Sequence, residues 1–355
     1  MFFVNLPVHT IKRPVASGSK VPACPTLLIR IIPLIFFTTS KDVHLNGLSI
    51  KITLPVANSS FHCSVFKLYI CTKLGTDNQL IAVNEDLDYM ALIQHSNPTV
   101  RFQQQADNAR ADVLPFIEEV FKVTENCRVL DIGCGDGGVL MPFLERGCTA
   151  IGIELDQYKS DFAKGFLKEF IEKGQVQIIN QNIYEEAALE LYKGQFDLIL
   201  LKDVIEHIPD QERFIPYLKK FLKPGGRVFF GFPPWYMPHG GHQQICSSKL
   251  LGALPYFHLL PNPLYVGLLK LFGEDQGVIN ELMSVKSTGI SIERFEKIVN
   301  LFGYEVELKR HFLLNPIYRF KFGWKPRVQT KLISSIPFFR NFLTTCVYYL
   351  IRQKD

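Results

Sequence analysis

From residue 128 onward the apolar positions gather into short continuous runs separated by amphipathic stretches, the pattern of strands alternating with helices. Residues 128–132, 149–154, 175–180, 196–201 and 227–232 read as five strands. Helices are predicted over 137–146, 156–173, 184–191 and 211–222; in the second of these Phe162, Phe166 and Phe170 recur every four residues, as one buried face requires. Strands this short and this continuously apolar belong in a parallel sheet covered on both faces, so the expected fold is α/β, a doubly wound Rossmann-like sheet. After 232 the alternation stops for residues 233–288, a segment dense in aromatics, Pro, Gly and His. It resumes with a helix over 291–302 and with 304–312 and 316–322, which read as an antiparallel closing strand pair. An insertion at the carboxyl edge of a parallel sheet lies where ligands bind, so 233–288 is the expected helical lid. Within it 250–271 is apolar and interrupted by Pro255, Pro261 and Pro263, consistent with short helices that form either a greasy roof or the lid's own core.

Ahead of the first strand stands a polar helical lead, 101–110, followed by Val113, Phe116, Ile117, Val120 and Phe121 at helical spacing. Residues 1–89 lack any such period and show only short β-like runs, at 49–56 and 63–71. The working domain is therefore placed at 90–355. The first 89 residues are expected to be a poorly structured extension or a gene-model artefact, with Met90 as the natural start.

Composition narrows the class. The chain has 355 residues and is 47% hydrophobic, which excludes a disordered, collagenous or coiled-coil protein. Lys and Arg number 39 against 34 Asp and Glu, a net +5 of which +3 falls on 1–89 and only +2 on 90–355. No nucleic-acid partner is expected from so thin a surplus. The eight cysteines show no Cys-x-x-Cys element or paired short spacings, which points to reduced thiols and a cytoplasmic location. The apolar stretch 27–37 carries Arg30 and Pro33, is too short to span a bilayer, and makes a poor signal peptide. The run 342–351 is also too short to span; it reads as a terminal helix packed on the body, with peripheral membrane contact as the alternative.

The segment Val129-Leu-Asp-Ile-Gly-Cys-Gly-Asp-Gly-Gly138 is a strand running into a glycine turn and then a helix. Gly133, Gly135 and Gly138 formally satisfy the dinucleotide pattern G-x-G-x-x-G, and three features redirect it. Asp131, at the strand's end, suits an amine or hydroxyl better than a pyrophosphate. Glu154 closes the second strand, where it can accept both hydroxyls of a ribose, a feature common to both nucleotide classes. The sheet also ends in an antiparallel pair rather than in the second mononucleotide half of a dehydrogenase.

On these residues the sequence resembles the class I S-adenosylmethionine-dependent methyltransferases. Asp131-x-Gly-x-Gly-x-Gly137 matches their first motif, Gly152-Ile-Glu-Leu-Asp156 their second-strand ending and 196–207 their fourth-strand segment, while Leu222-Lys-Pro-Gly-Gly-Arg227 is similar to the turn before their fifth strand. The resemblance covers about 100–325. It implies S-adenosyl-L-methionine as cofactor, with Asp131 on its amino-acid part, the loop Gly133, Cys134, Gly135 and Gly137 along its backbone, Glu154 on its ribose, and Leu155, Asn182, Ile183 and Lys202 as further neighbours. Asn182 departs from the acidic residue usual after the third strand, but its amide oxygen still accepts from an adenine amine.

Asp203, Glu206 and His207 follow the fourth strand and face the expected methyl group. Glu206 and His207 have bland alternatives, a helix N-terminus charge and a structural imidazole. As chemistry, His207 or Asp203 can act as a general base toward a hydroxyl, with His242 of the lid as a third catalytic candidate. No metal is included in the expected site. The alternative ligand set is Asp203, Glu206, His207 and His242, because Asp-x-x-Glu-His also resembles the metal-binding segment of ubiquinone-biosynthesis O-methyltransferases and of small-RNA 3′-end methyltransferases; a divalent cation there would lower the pKa of a substrate hydroxyl. In the lid, Trp235, Tyr236, His239 and Gln243 are the expected substrate contacts, and packing of Trp235 and Tyr236 against the body is the competing reading. The function expected is methyl transfer to a small-molecule acceptor, aromatic, sugar or lipid-like, at oxygen in preference to nitrogen or carbon. A non-catalytic binding protein and a nucleotide-dependent oxidoreductase are the alternatives.

Overall fold

The computed structural model describes residues 97–354, together with four short strands nearer the N-terminus. The chain divides into two units, 1–90 and 91–355. In the first, Lys41–Leu45 pairs antiparallel with Leu48–Ile52, and Leu68–Cys71 with Leu80–Val83. The expected nature of 1–89 as a whole lies outside the described residues.

The second unit is built on one eight-stranded sheet. Its strands are β1 (Arg128–Ile132), β2 (Thr149–Glu154), β3 (Val176–Asn180), β4 (Phe196–Lys202), β5 (Leu222–Phe232), β6 (Tyr304–Leu314), β7 (Arg327–Val328) and β8 (Cys346–Gln353), in the spatial order β7-β6-β8-β5-β4-β1-β2-β3. β3, β2, β1, β4 and β5 are parallel, and β8, β6 and β7 are antiparallel. Adjacent residues of one strand feed opposite faces. Leu130, Phe230 and Tyr349 enter one core with Phe214 and Phe295, while Val129, Phe229 and Tyr348 enter the other with Phe116 and Leu140. The doubly wound α/β architecture, an antiparallel closing strand and a helical insertion after β5 are all present.

The helices that position the site are α1 (Pro98–Asn108), α2 (Gln157–Phe166), α3 (Gln211–Tyr217), α4 (Gln276–Thr288), α5 (Ile292–Leu301), α6 (Tyr318–Phe322) and α7 (Lys331–Ser334). α1 begins where the Asn97 side chain accepts from the amides of Thr99 and Val100, and Pro98 occupies the first turn, where no N–H is missed. Asp156 caps α2 in the same way.

Three expectations are corrected. The run 342–351 is neither a terminal helix nor a membrane-facing surface; its core is β8, antiparallel between β5 and β6, with Val347 to Ile351 fully buried. An unbroken apolar run has no period that separates buried helix from buried strand, and Val347, Tyr348, Tyr349 and Ile351 supply the β-branched and aromatic side chains that favour the strand. Residues 316–322 are not a strand. Ile317 donates to Asn315 Oδ1, and Phe320 and Lys321 donate to the Ile317 carbonyl, closing α6. The third correction concerns 156–173, which breaks at Leu167 (φ −97°, ψ 13°) into α2 and a short helix, Lys168–Glu172. Ala163 and Leu167 take its buried face, while Phe162 and Phe166 lie half-buried, Phe166 stacking on Phe102 of α1 at 4.6 Å. The lid has its own core of Cys246, Leu251, Phe257, Tyr265, Leu269, Ile279 and Leu282.

Candidate active site

The carboxyl ends of β1, β2 and β4 meet at the glycine turn. Gly133, Gly135 and Gly137 all have positive φ (+70°, +57° and +86°), backbone that side chains rarely adopt. The Gly133 amide donates to the Ile153 carbonyl at 2.7 Å, tying the turn to β2. A Cβ on Gly133 would lie 2.7 Å from Val204 Cγ2, whereas one on Gly135 would meet only Gln105 Nε2, at 3.9 Å. The turn is thus packed behind Gly133 and open in front of Gly135.

Asp131 is buried at the end of β1, and its Oδ2 has no hydrogen-bond partner. Burial, then the nearby charge of Glu154, push its carboxyl well above the usual range. An orphaned buried carboxyl beside an open glycine turn is suited to receive a cation. Glu154 Oε2 accepts from the Gly135 amide at 2.8 Å and Oε1 from the Asp156 amide at 2.9 Å. Asn180 Nδ2 donates to the carbonyls of Glu154 and Leu155, fixing the strand end. Leu155 is exposed and Ile183 buried; Asn182 Oδ1 already accepts from the Tyr184 amide at 3.0 Å, and Cys134 is buried against Gly152.

On the facing side, Asp203 holds a left-handed φ of +58° and donates its amide to Gly231 O. Its carboxylate accepts from Lys202 Nζ at 2.5 Å. The Lys202 side chain is buried, which works to lower its pKa, but the charge of Asp203 carries the net shift upward. Glu206 is buried with neither carboxylate oxygen hydrogen-bonded; burial, then Asp203, raise its pKa well above the carboxylate range. His207 is exposed at the residue level, and partial desolvation of its ring draws its pKa down against the pull of Asp203. His242, also left-handed at φ +55°, comes from the lid, and its ring centroid stands 5.0 Å from that of His207. One donor atom each from Glu206, His207 and His242 lies within 4.8 Å of the others, while the Asp203 carboxylate is paired with Lys202. Non-glycine residues at positive φ are uncommon, and strain of this kind collects at functional sites.

The lid side chains divide. Gln243 is fully buried, donating to the carbonyls of Pro238 and Leu254, and so braces the lid. Trp235 packs on Gly289, where a Cβ would lie 2.4 Å from its ring, and edge-on to His258 at 4.6 Å. Tyr236 meets the rings of Phe338 and Phe342 at 5.0 and 5.6 Å. His239 is half-buried, and desolvation lowers its pKa. Of the predicted lid residues, His242 is the one whose ring stands against the 203–207 turn.

Sequence reasoning missed the residues that hold these pieces. Gln211 Nε2 donates to the carbonyls of Ile205 and Thr288, and Thr288 Oγ1 donates to the Glu206 carbonyl at 2.6 Å, so α4 of the lid is tied to the turn bearing Glu206. Arg101 of α1 grips the loop residue Asp136. The only signal for Arg101 was its place in the polar helical lead.

Residues 101–244 match a family described as "Methyltransferase domain". A ubiquinone biosynthesis O-methyltransferase of Leptothrix cholodnii is 28% identical over 116 residues, covering 33% of this chain and 48% of its own length. Its namesake in Escherichia coli is 35% identical over 105 residues, covering 29% of this chain and 41% of its own. The chain thus spans less than half the length of these two relatives. The solved geranyl diphosphate C-methyltransferase of Streptomyces coelicolor A3(2), bound to Mg2+, geranyl diphosphate and S-adenosyl-L-homocysteine, aligns over 76% of this chain and 84% of its own, at 12% identity and a TM-score of 0.44. The match to a methyltransferase domain thus spans residues 101–244, the stretch that carries Asp131, the glycine turn, Glu154, the 203–207 turn and His242.

Proposed function

We propose that the protein transfers a methyl group from S-adenosyl-L-methionine to an oxygen of a small-molecule acceptor, with residues 90–355 as the working domain. The observation that carries this reading is the buried Asp131, its Oδ2 without a hydrogen-bond partner, beside the open turn at Gly135. When bound, the cofactor supplies a methyl group on a sulfonium. Asp131 would receive its ammonium, the Gly133–Gly137 loop its backbone and Glu154 its ribose hydroxyls, with Leu155, Asn182, Ile183 and Lys202 as neighbours. His207 would accept the proton of the acceptor hydroxyl at a ring nitrogen while that oxygen takes up the methyl group, which the cofactor would supply as its sulfur leaves as a neutral thioether. Oxygen as the nucleophile is supported by the O-methyltransferase relatives.

A second reading places a divalent cation on Glu206, His207 and His242, favoured by their three clustered donors and the two unpartnered Glu206 oxygens. That cation would lower the pKa of the acceptor hydroxyl and occupy His207, which then no longer serves as base. Calorimetric titration with S-adenosylhomocysteine against NAD, then transfer of labelled methyl to a panel of phenols, sugars and lipid alcohols, tests the main reading. Absence of homocysteine-ligand binding returns the chain to a non-catalytic fold, and NAD binding to the oxidoreductase alternative. Dialysis against EDTA decides the second reading: activity that survives, and that added Mg or Mn leaves unchanged, removes the cation.

A further inference from the structure

The connection between β6 and β8, residues 315–345, differs in chemistry from the rest of the domain. It carries six basic residues, Arg319, Lys321, Lys325, Arg327, Lys331 and Arg340, and no Asp or Glu, which leaves the remainder of 90–355 net acidic. Arg319 is spent on Asp112 and Arg340 on Glu293 and Glu296. Lys325, Arg327 and Lys331 are exposed, and none of them forms an ion pair among the described residues.

Interleaved with those three cations is an unusual density of exposed apolar side chains. Trp324 is 53% exposed, Leu332 75%, Phe338 51% and Phe339 49%, with Val328 and Ile336 also open. Single exposed apolar residues need no explanation, but six within sixteen consecutive positions, in a segment without one negative charge, do. The Trp324 ring is held by Phe322 and Tyr318 at 5.4 and 6.0 Å, so its exposure is built into α6 and the turn after it. Leu332 lies in α7, and Ile336 follows just past its end, where its amide donates to the Ile333 carbonyl.

We propose that the exposed face of residues 324–339 docks the protein on the surface of an anionic lipid bilayer. Lys325, Arg327 and Lys331 meet the negative headgroups, Trp324 takes the interfacial depth its amphipathic ring prefers, and Leu332, Ile336 and Phe339 enter the upper acyl region. Charge complementarity names this occupant. A nucleic acid would use the cations and the rings, but has no use for Val328, Leu332 and Ile336. No helix among the described residues is long and apolar enough to cross a membrane, so the contact is peripheral. The inference is independent of the methyl-transfer reading.

The test is sedimentation of the full chain with vesicles of phosphatidylcholine alone and of phosphatidylcholine with phosphatidylglycerol in equal parts, alongside tryptophan emission. The chain should pellet with the anionic vesicles only, less at high salt, with a blue shift that Trp324→Phe abolishes. Lys325→Glu with Lys331→Glu should weaken partition by more than ~10-fold. Leu332→Asp should do the same without altering the melting temperature, because the side chain is exposed. Failure to pellet with anionic vesicles, equal pelleting with both kinds, or unchanged partition of these variants overturns the proposal. So does a Trp324 emission already blue and indifferent to vesicles, or self-association that Leu332→Asp abolishes, since either shows another protein surface on the patch.

Discussion

Arg101 Nε and Nη2 donate to Asp136 Oδ2 and Oδ1 at 2.7 and 2.9 Å, a bidentate pair that joins α1 to the glycine loop across 35 positions of sequence. Asp136 is only 1% exposed, so removing its partner leaves a buried carboxylate unpaired. Because Arg101 is partly solvated, Arg101→Ala is expected to cost about 2–3 kcal/mol, below the figure for a wholly buried pair. The loosened loop should also bind S-adenosylhomocysteine more weakly. Urea unfolding and calorimetry check the two effects. Loss of stability with unchanged affinity would mean that the pair supports the fold alone.

Two glycines of the same loop should fail differently. At Gly135 a new Cβ has room within the protein, so Gly135→Val should cost only the ~1–3 kcal/mol of a left-handed non-glycine while abolishing ligand binding, because the valine fills the space in front of the turn. A Cβ on Gly138 would lie 2.4 Å from the Phe102 carbonyl oxygen, so Gly138→Ala should destabilise the fold by forcing α1 away. Thermal melting with and without S-adenosylhomocysteine separates them: the first variant should fold and give no ligand shift, the second should melt early.

The parts of the fold legible in the sequence are those with a local period or a local turn. β1 to β5 are short apolar runs between amphipathic helices, and the positive-φ glycines mark the turn at 133–137 directly. What was illegible depends on distant chain. β8 enters the sheet between β5 and β6 only because both its faces find cover, and its apolar run has no periodicity to say so. The site shows the same division. Asp131 and Glu154 stand at strand ends and Glu206 in the short turn after the fourth strand, all fixed by local pattern, whereas Gln211 and Thr288 act through carbonyls that the fold brings to them, so a lid glutamine such as Gln243 and a helix glutamine such as Gln211 look alike until their partners are known.

Proton release should report on Asp131. Its carboxyl is raised in the free protein, first by burial and then by Glu154, so its contribution to stability is complete below the unfolded value of about 4 and is lost as pH rises through the raised folded value. A bound ammonium favours the carboxylate, so ligand binding should release a proton and tighten as pH rises. Calorimetry of S-adenosylhomocysteine in two buffers of different ionisation heat measures that release. Heats independent of buffer would place the ligand's ammonium elsewhere. Asp131→Asn should stabilise the free protein at neutral pH and abolish the proton release.

Acid should loosen the lid around Trp235. Burial holds His258 down at about 4, its Nε2 lying 2.7 Å from the Trp235 carbonyl oxygen, while an unfolded histidine titrates near 6.5. The folded-state pKa is depressed, so the stability it contributes is whole above the unfolded value and is lost as pH falls from about 6.5 toward about 4. Trp235 emission should therefore change in that window, and His258→Gln should remove most of the pH dependence. An identical acid profile in the variant would show that another group drives the loosening.

His242 and Gln243 are neighbours with opposite expected phenotypes. Gln243 is buried and bonded to two carbonyls, so Gln243→Leu should destabilise the lid by leaving the carbonyls of Pro238 and Leu254 short of a donor, at about 1–3 kcal/mol. His242 stands against His207 and Glu206, so His242→Ala should leave the melting temperature and S-adenosylhomocysteine affinity nearly unchanged while lowering kcat by roughly 10²–10⁴-fold. Glu206→Gln, which removes a buried ionisable carboxyl but keeps the shape, distinguishes the two ways the cluster can act. If His207 is the base, the amide variant should stay active, with the acid limb of its pH profile moved. Under the cation reading, activity should fall and isothermal titration with Mn2+ should lose its heat. Full turnover in His242→Ala would remove the lid imidazole from the mechanism and leave the Asp203–His207 turn alone to meet the acceptor.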